Sequence, residues 1–102
     1  MIKQLIRPII LRLTGRKKTK KYKCPCCGYF TFEYKPNGNY DVCPVCFWED
    51  DPMAYDDPDE EFSCNQVSLN QAKHNYVEFG ACRKDIIVYV RKPNADELTG
   101  IE

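Results

Sequence analysis

Two pairs of cysteines with the spacing of metal ligands are the residues of this chain best suited to chemistry. Cys24 and Cys27 form one C-x-x-C step, Cys43 and Cys46 form another, and fifteen residues lie between the two steps. Because each step lets two sulfurs of one tight turn reach the same ion, the spacing predicts one structural zinc ion with four thiolate ligands. Four protein ligands leave no coordination position for an activated water. We therefore expect a binding module and not an enzyme.

Disulfide bonds are the alternative use of these cysteines. The chain has seven cysteines, an odd number, and the sequence does not predict a secretory signal. A reducing, cytoplasmic compartment is the better fit. Three cysteines stay outside the predicted site, and of these Cys26 is interpreted as a buried residue or substitute ligand, with a reactive thiol as the weaker alternative. A second metal site formed by Cys26, Cys64 and Cys82 has no ligand-like spacing to support it.

Opposite charges are segregated along the chain, although the formal net charge is zero. Residues 1–23 contain nine of the fifteen Lys and Arg side chains and no acid, whereas eight of the fifteen acids lie within residues 49–61. Such segregation reports on partners or self-association more than on fold. The acids of residues 49–61 lack the ordered spacing and glycine of a calcium loop.

Residues 1–21 read as a basic extension with an apolar stripe. Aliphatic side chains recur at helical spacing, which predicts an amphipathic helix that Pro8 interrupts. Three uses remain open: docking on its own domain or a second copy, peripheral membrane contact, or an arm for nucleic acid. In the second half of the extension, basic side chains form the candidate arm: Arg12, Arg16, Lys17, Lys18, Lys20 and Lys21.

The segment between the cysteine pairs has the alternation of a β-hairpin. Phe30, Phe32 and Tyr34 alternate with less apolar residues, Asn37-Gly38 marks a tight turn, and Tyr40–Val42 leads back to the second pair. Gly28 suits the turn after the first pair, but Phe47 stands at the matching position of the second. Since a bulky residue in left-handed geometry costs about 1–2 kcal/mol, we expect a different second turn.

The rest of the chain predicts one helix and one strand. Residues 48–61 are interpreted as an irregular surface loop. Ser68 and Gly80 delimit an amphipathic helix over Leu69–Phe79, with His74 on its solvent face. The β-branched run within Asp85–Arg91 predicts a strand packed on the ribbon or the helix, and the tail that follows is expected to be frayed.

Three motifs together resemble the bacterial cysteine-rich CPCC family over residues 22–83. They are CPCCGYFTF, YDVCPVCFWEDDP and NQVSLNQAKHNYVEFGAC. The resemblance implies a module similar to a zinc ribbon, with Cys24, Cys27, Cys43 and Cys46 at the positions of its paired cysteines, and it implies no established reaction. The chain departs from the usual pattern at Phe47, where glycine is common, and at Cys64, where a small residue is common.

These observations predict a small α+β domain built on a zinc ribbon over residues 22–95, with the basic extension before it and a flexible tail, 96–102, after it. The predicted function is recognition of a basic protein surface, and an immunity-type protein that neutralises a toxin nuclease is one concrete version. Nucleic-acid binding through the basic arm is the alternative, and a thiol redox protein is a weaker one. The candidate partner surface consists of residues in the acidic loop: Trp48, Glu49, Asp50, Asp51, Asp56, Asp57, Asp59, Glu60 and Glu61. Trp48 has an alternative role as part of the hydrophobic core.

Overall fold

The structure, a computed structural model, describes residues 22–100 of the 102-residue chain. The predictions for residues 1–21 lie outside the described residues, as do residues 101–102. The elements in chain order are strands β1 (Tyr22–Lys23) and β2 (Phe30–Phe32), helices α1 (Pro52–Asp56) and α2 (Leu69–Phe79), a 3-10 helix (Lys84–Tyr89) and helix α3 (Ala95–Thr99). An antiparallel strand pair combined with several helices confirms the predicted α+β class.

The strand pair surrounds the first cysteine pair and does not join the two pairs to each other. β1 runs antiparallel to β2, with Tyr22 opposite Phe32 and an irregularity in the register. The predicted hairpin, with its turn at Asn37-Gly38 and its return at Tyr40–Val42, is therefore wrong in its pairing. Each cysteine turn brings together the two segments that flank it directly, because closing so short a loop costs little conformational entropy.

A buried carboxylate organises the segment between the cysteine pairs in place of strand pairing. Oδ2 of Asp50 accepts hydrogen bonds from the backbone N–H groups of Asn37, Gly38 and Asn39 at 2.9, 2.9 and 3.1 Å. Asp50 is only 2% exposed, and three N–H donors offset the cost of burying its charge. Gly38 is needed here because its φ is 95° and a β-carbon would lie 2.8 Å from Cα of Pro52.

Trp48 lies at the centre of the hydrophobic core. It is 1% exposed and belongs to one buried cluster with Phe32, Val45 and three of the four paired cysteines, against which the fourth, Cys27, packs partly buried. The segment after it, predicted as an irregular loop, begins with helix α1. Asp51 caps this helix, since its Oδ1 accepts the N–H of Met53 at 2.7 Å. The acidic loop is thus anchored to the core at its first residues.

Helix α2 has the bounds and both ends that the sequence predicts. Oγ of Ser68 accepts the N–H of Gln71 at 3.0 Å, and Gly80 ends the helix at a left-handed φ of 85° while donating to the carbonyl of Tyr76. His74 is exposed, which confirms its predicted solvent-facing position.

The β-branched run after Cys82 forms the 3-10 helix and not the predicted strand over Asp85–Arg91. Ile86 is buried, whereas Ile87, Val88 and Tyr89 are exposed. Within residues 22–100 the only sheet is β1–β2, and it does not include this run. Because this run has no neighbouring strand to pair with among residues 22–100, its β-branched residues gain little from an extended conformation. The 3-10 helix instead buries the side chain of Ile86 against the core.

Helix α3 packs on β2 in place of the predicted frayed tail. The buried carboxylate of Glu97 accepts from both Nη atoms of Arg91 at 2.8 Å and from the N–H of Asn94 at 2.8 Å. The Arg91 guanidinium holds the pKa of Glu97 below its ordinary value, despite burial. Gly100 then lies so close to the ring of Phe30 that a β-carbon would be 2.7 Å from it. Residues 96–100 therefore belong to the folded part of the chain.

We expect Asp50→Asn to lower the free energy of unfolding of the metal-loaded chain by about 1–3 kcal/mol, because three N–H donors would lose a charged acceptor. Urea unfolding measures this change. Asp56→Asn is the matched control, since Asp56 is exposed and should shift stability by no more than about 0.5 kcal/mol. Equal effects of the two substitutions would contradict the assigned role of Asp50.

Candidate metal centre

The first cysteine turn is closed by backbone hydrogen bonds on both sides of Cys24. Its N–H donates to the carbonyl of Tyr29 at 2.8 Å, and its carbonyl accepts from the N–H of Gly28 at 2.9 Å. The N–H of Cys26 points at Sγ of Cys24 at 3.4 Å. Gly28 has a φ of 83°, so the chain turns back without steric cost. This geometry presents Cys24 and Cys27 to a common centre.

The second cysteine turn repeats the first, residue for residue. The N–H of Cys43 donates to the carbonyl of Trp48 at 2.9 Å, the N–H of Phe47 donates to the carbonyl of Cys43 at 2.7 Å, and the N–H of Val45 lies 3.4 Å from Sγ of Cys43. Phe47 adopts the left-handed conformation with a φ of 70°. The expectation of a different second turn is therefore wrong: Phe47 takes the conformation that glycine takes in the first turn.

The four cysteines meet at one point. Their Sγ atoms all lie within 4.8 Å of one another, with 3.5 Å between Cys24 and Cys46 and 3.7 Å between Cys27 and Cys43. A tetrahedral ion with metal–sulfur bonds of about 2.3 Å would place its sulfurs about 3.8 Å apart. Cys24, Cys43 and Cys46 are buried and Cys27 is partly buried. The residues thus fit a metal ion held by four sulfurs.

The cluster concentrates negative charge where water cannot stabilise it. Burial raises the pKa of Cys24, and hydrogen bonding with Cys24 raises the pKa of Cys46. The pKa of Cys43 is lowered instead, through hydrogen bonding with Cys24, Cys27 and Cys46, and Oγ1 of Thr31 donates to its sulfur at 3.1 Å. Four thiolates at this spacing require a cation to offset their repulsion. A bound metal would supply that charge, and protons would compete with it for the sulfurs.

Cys26, Cys64 and Cys82 lie outside this group of four. Cys26 and Cys82 are buried, whereas Cys64 is exposed. Burial raises the pKa of Cys82 to about 12, and burial together with the carboxylates of Asp51 and Glu49 raises the pKa of Cys64. A raised pKa reduces the thiolate fraction of both residues at neutral pH.

The candidate partner surface is smaller than the sequence predicts. Trp48, Asp50 and Asp51 are buried, and their hydrogen bonds and packing are directed inward. Glu49 and Glu60 are partly buried. The acids that remain exposed are Asp56, Asp57, Asp59 and Glu61. A run of acids in the sequence does not reveal which of them cap a helix or bind backbone donors.

Asn65 is a structural residue of this region that sequence reasoning missed. It is 2% exposed, and its side-chain amide accepts from the N–H of Glu49 and donates to the carbonyl of Glu49, both at 2.8 Å. The Asn65 amide thereby makes the two hydrogen bonds with the Glu49 backbone that a neighbouring strand would otherwise make. No spacing or composition signal in the sequence marks it.

The structure defines a small α+β module with a four-cysteine site able to hold one metal ion. A family model described as cysteine-rich CPCC matches residues 22–97, so the chain belongs to that family. The match confirms the resemblance and extends it beyond residue 83, through the 3-10 helix to Glu97 in α3. No curated protein matches the chain. Among residues 22–100, no helix has the length and apolar character needed to cross a membrane.

We expect Phe47→Ala to destabilise the metal-loaded chain more than Phe47→Gly does, by about 1 kcal/mol. Both substitutions remove the ring that stacks on Tyr89, with centroids 5.7 Å apart, but only glycine relieves the left-handed strain. Thermal unfolding compares the two variants, with Val77→Ala on α2 as the control for loss of an exposed apolar side chain. If the glycine variant were the less stable one, the strain at Phe47 would be refuted.

Proposed function

We propose that the chain is a non-catalytic protein-interaction module whose fold is held by one structural zinc ion. Zinc is favoured because four sulfurs in tetrahedral proximity are typical of structural zinc sites and because zinc tolerates a closed, rigid geometry. All four positions come from the protein, so the ion would supply folding energy and no open position for a substrate.

The zinc proposal predicts one zinc ion per chain, measured by native mass spectrometry, and loss of folded structure after chelation. Cys46→Ser should weaken zinc binding by at least about tenfold in a chelator competition, since even indirect partners of such ligands contribute that much. Cys64→Ser is the matched control, because Cys64 lies outside the site, and it should retain full affinity. Retention of a different metal, or normal affinity in Cys46→Ser, would contradict the proposal.

The interaction proposal rests on one observation, an exposed acidic surface without an ion-pair partner among residues 22–100. We define the acidic surface as Asp56, Asp57, Asp59 and Glu61, which begin at the last residue of α1. Within residues 22–100, the ion pairs formed by His74, Arg83 and Arg91 all involve other acids. Uncompensated charges of one sign steer and orient a partner of the opposite sign.

Apolar side chains accompany the acidic surface and favour a protein partner. Phe62 is 85% exposed, directly after Glu61, and Tyr55 and Met53 are exposed on α1. Exposed aromatic and methionine side chains beside charges are typical of protein interfaces, where they provide the buried anchors. A basic protein surface fits this combination, and the nucleic-acid groove of a nuclease is one such surface. On this proposal the chain acts as an immunity-type protein by covering that groove.

Nucleic-acid binding through the arm Arg12–Lys21 is the second candidate, and the sequence favours it through the absence of acids from residues 1–23. The acidic body counts against it, since residues 22–100 contain fourteen acids and seven Lys or Arg. The arm lies outside the described residues. The thiol redox alternative depends on Cys26, and it has less support because this thiol is buried.

The interaction proposal predicts that Asp56→Asn combined with Glu61→Gln weakens capture of a basic protein by the tagged full chain, with less salt dependence than the unmodified chain shows. Capture from cells that produce the chain, followed by mass spectrometry and affinity measurement across salt, tests this. The matched control neutralises two exposed acids elsewhere, Glu33→Gln with Glu78→Gln.

Equal capture by both double variants would refute the role of the acidic surface. Recovery of nucleic acid that survives these changes but disappears when Arg16, Lys17 and Lys18 are replaced by glutamine would support the second candidate instead.

A further inference from the structure

One edge of the short antiparallel ribbon formed by residues 41–43 and 48–50 is open. Val42 and Glu49 face each other there in an isolated bridge, and the hydrogen bonds run between their neighbours, both at 2.9 Å. In such a pair the two residues direct their own N–H and C=O groups away from each other, toward the outer edges. The amide of Asn65 bonds both groups of Glu49. The N–H and C=O of Val42 bond no group among residues 22–100.

A groove of about 180 Å³ lies against this open edge. It is lined by Asp41 and Val42 from the ribbon and by Thr31–Tyr34 from the segment that follows the first cysteine pair. No residue of 48–50 lines it, which places the groove on the side of Val42 away from Glu49. The sequence predicted that the two lining segments pair as a hairpin. Because they do not pair, the space beside Val42 is not filled by a strand of residues 22–100.

We propose that this groove binds an extended peptide segment of a protein partner, which adds as a strand beside Val42. The peptide backbone would supply an acceptor for the Val42 N–H and a donor for its C=O, as the Asn65 amide does for Glu49 on the other edge. Exposed strand edges are the usual sites of such pairing, and Val42 is 44% exposed. The groove shares no residue with the acidic surface, so binding there goes beyond the interaction proposal and is independent of it.

Charge complementarity indicates which peptides the groove accepts. Glu33 and Asp41 are among its lining residues, and no Lys or Arg lines it. Tyr34 adds a ring that is 65% exposed, and such a ring attracts a cationic side chain that lies over its face. We therefore expect a segment in which Lys or Arg alternates with β-branched residues, since an extended strand presents every second side chain to the same face.

A library of short random peptides, panned against the metal-loaded full chain, tests this proposal, and synthetic copies of the retained peptides give the affinities. Val42→Pro removes the N–H at the open edge and should weaken binding at least about fivefold, because the peptide carbonyl loses its donor. This N–H makes no bond within residues 22–100, and proline is tolerated at edge positions of that kind. Val42→Thr is the matched control, since it keeps the N–H and the β-branched shape and should bind with unmodified affinity. Unchanged fluorescence of the buried Trp48 verifies that each variant is folded.

N-methylation of a selected peptide gives a test that requires no variant of the chain. Methylating one amide at a time should weaken binding at least about fivefold at alternate positions only, because an extended strand directs every second N–H toward the edge. Failure to retain basic peptides, equal binding by folded Val42→Pro, or losses without alternation would overturn the proposal. The Glu33→Gln change in the control for the acidic surface leaves Asp41 and the open edge in place, so the two proposals fail separately.

Amide hydrogen exchange at Val42 distinguishes a partner peptide from other occupants of the open edge. In the metal-loaded full chain without peptide this amide should exchange rapidly, and a saturating amount of the selected peptide should slow its exchange at least about tenfold. Protection without peptide that is independent of protein concentration would overturn the proposal, because another part of the chain would already cover the edge. Protection that rises with protein concentration would overturn it as well, since a second copy would then be the occupant.

Discussion

The convergence of four sulfurs on one point is the constraint on which the rest of the structure depends. Thiolates within 4.8 Å of one another repel, and burial removes the water that would moderate this repulsion. A cation between them would offset this repulsion, so metal binding would stabilise the folded arrangement. Within residues 22–100, two short strands, the three-turn helix α2 and three shorter helices would otherwise give a domain of this size little stability.

Backbone donors around the sulfurs explain why both cysteine turns have the same shape. In each turn an N–H points at the sulfur two residues earlier, and the next residues close the turn with a left-handed position. That requirement is strong enough to hold Phe47 in a conformation usually left to glycine. The metal site therefore dictates backbone geometry, and the identity of the residue at the left-handed position decides what surface the turn presents.

The acidic loop shows how one run of like charges is divided between structure and surface. Asp50 and Asp51 are turned inward, where they satisfy backbone N–H groups of three separate segments. These bonds attach the loop to the segment between the cysteine pairs and to the segment around Cys64. The acids of the acidic surface follow this anchored segment and stay exposed, which is the arrangement that recognition of a basic surface would need.

The sequence by itself determined which four cysteines meet at the candidate metal site, the bounds of α2 and the family, because these depend on local spacing: two sulfurs per turn, a serine cap and a glycine terminator. Only the tertiary structure decided the hairpin pairing, the 3-10 helix at Ile86, the docking of α3 through Glu97 and the inward orientation of Trp48 and Asp50. Those outcomes depend on which groups the fold brings into contact. The 3-10 helix has no strand to pair with among residues 22–100, Glu97 meets Arg91, and Asp50 meets three N–H groups of another loop. Local propensity contains no information about such neighbours, so the pattern that identified the metal site could not say which surfaces the site supports.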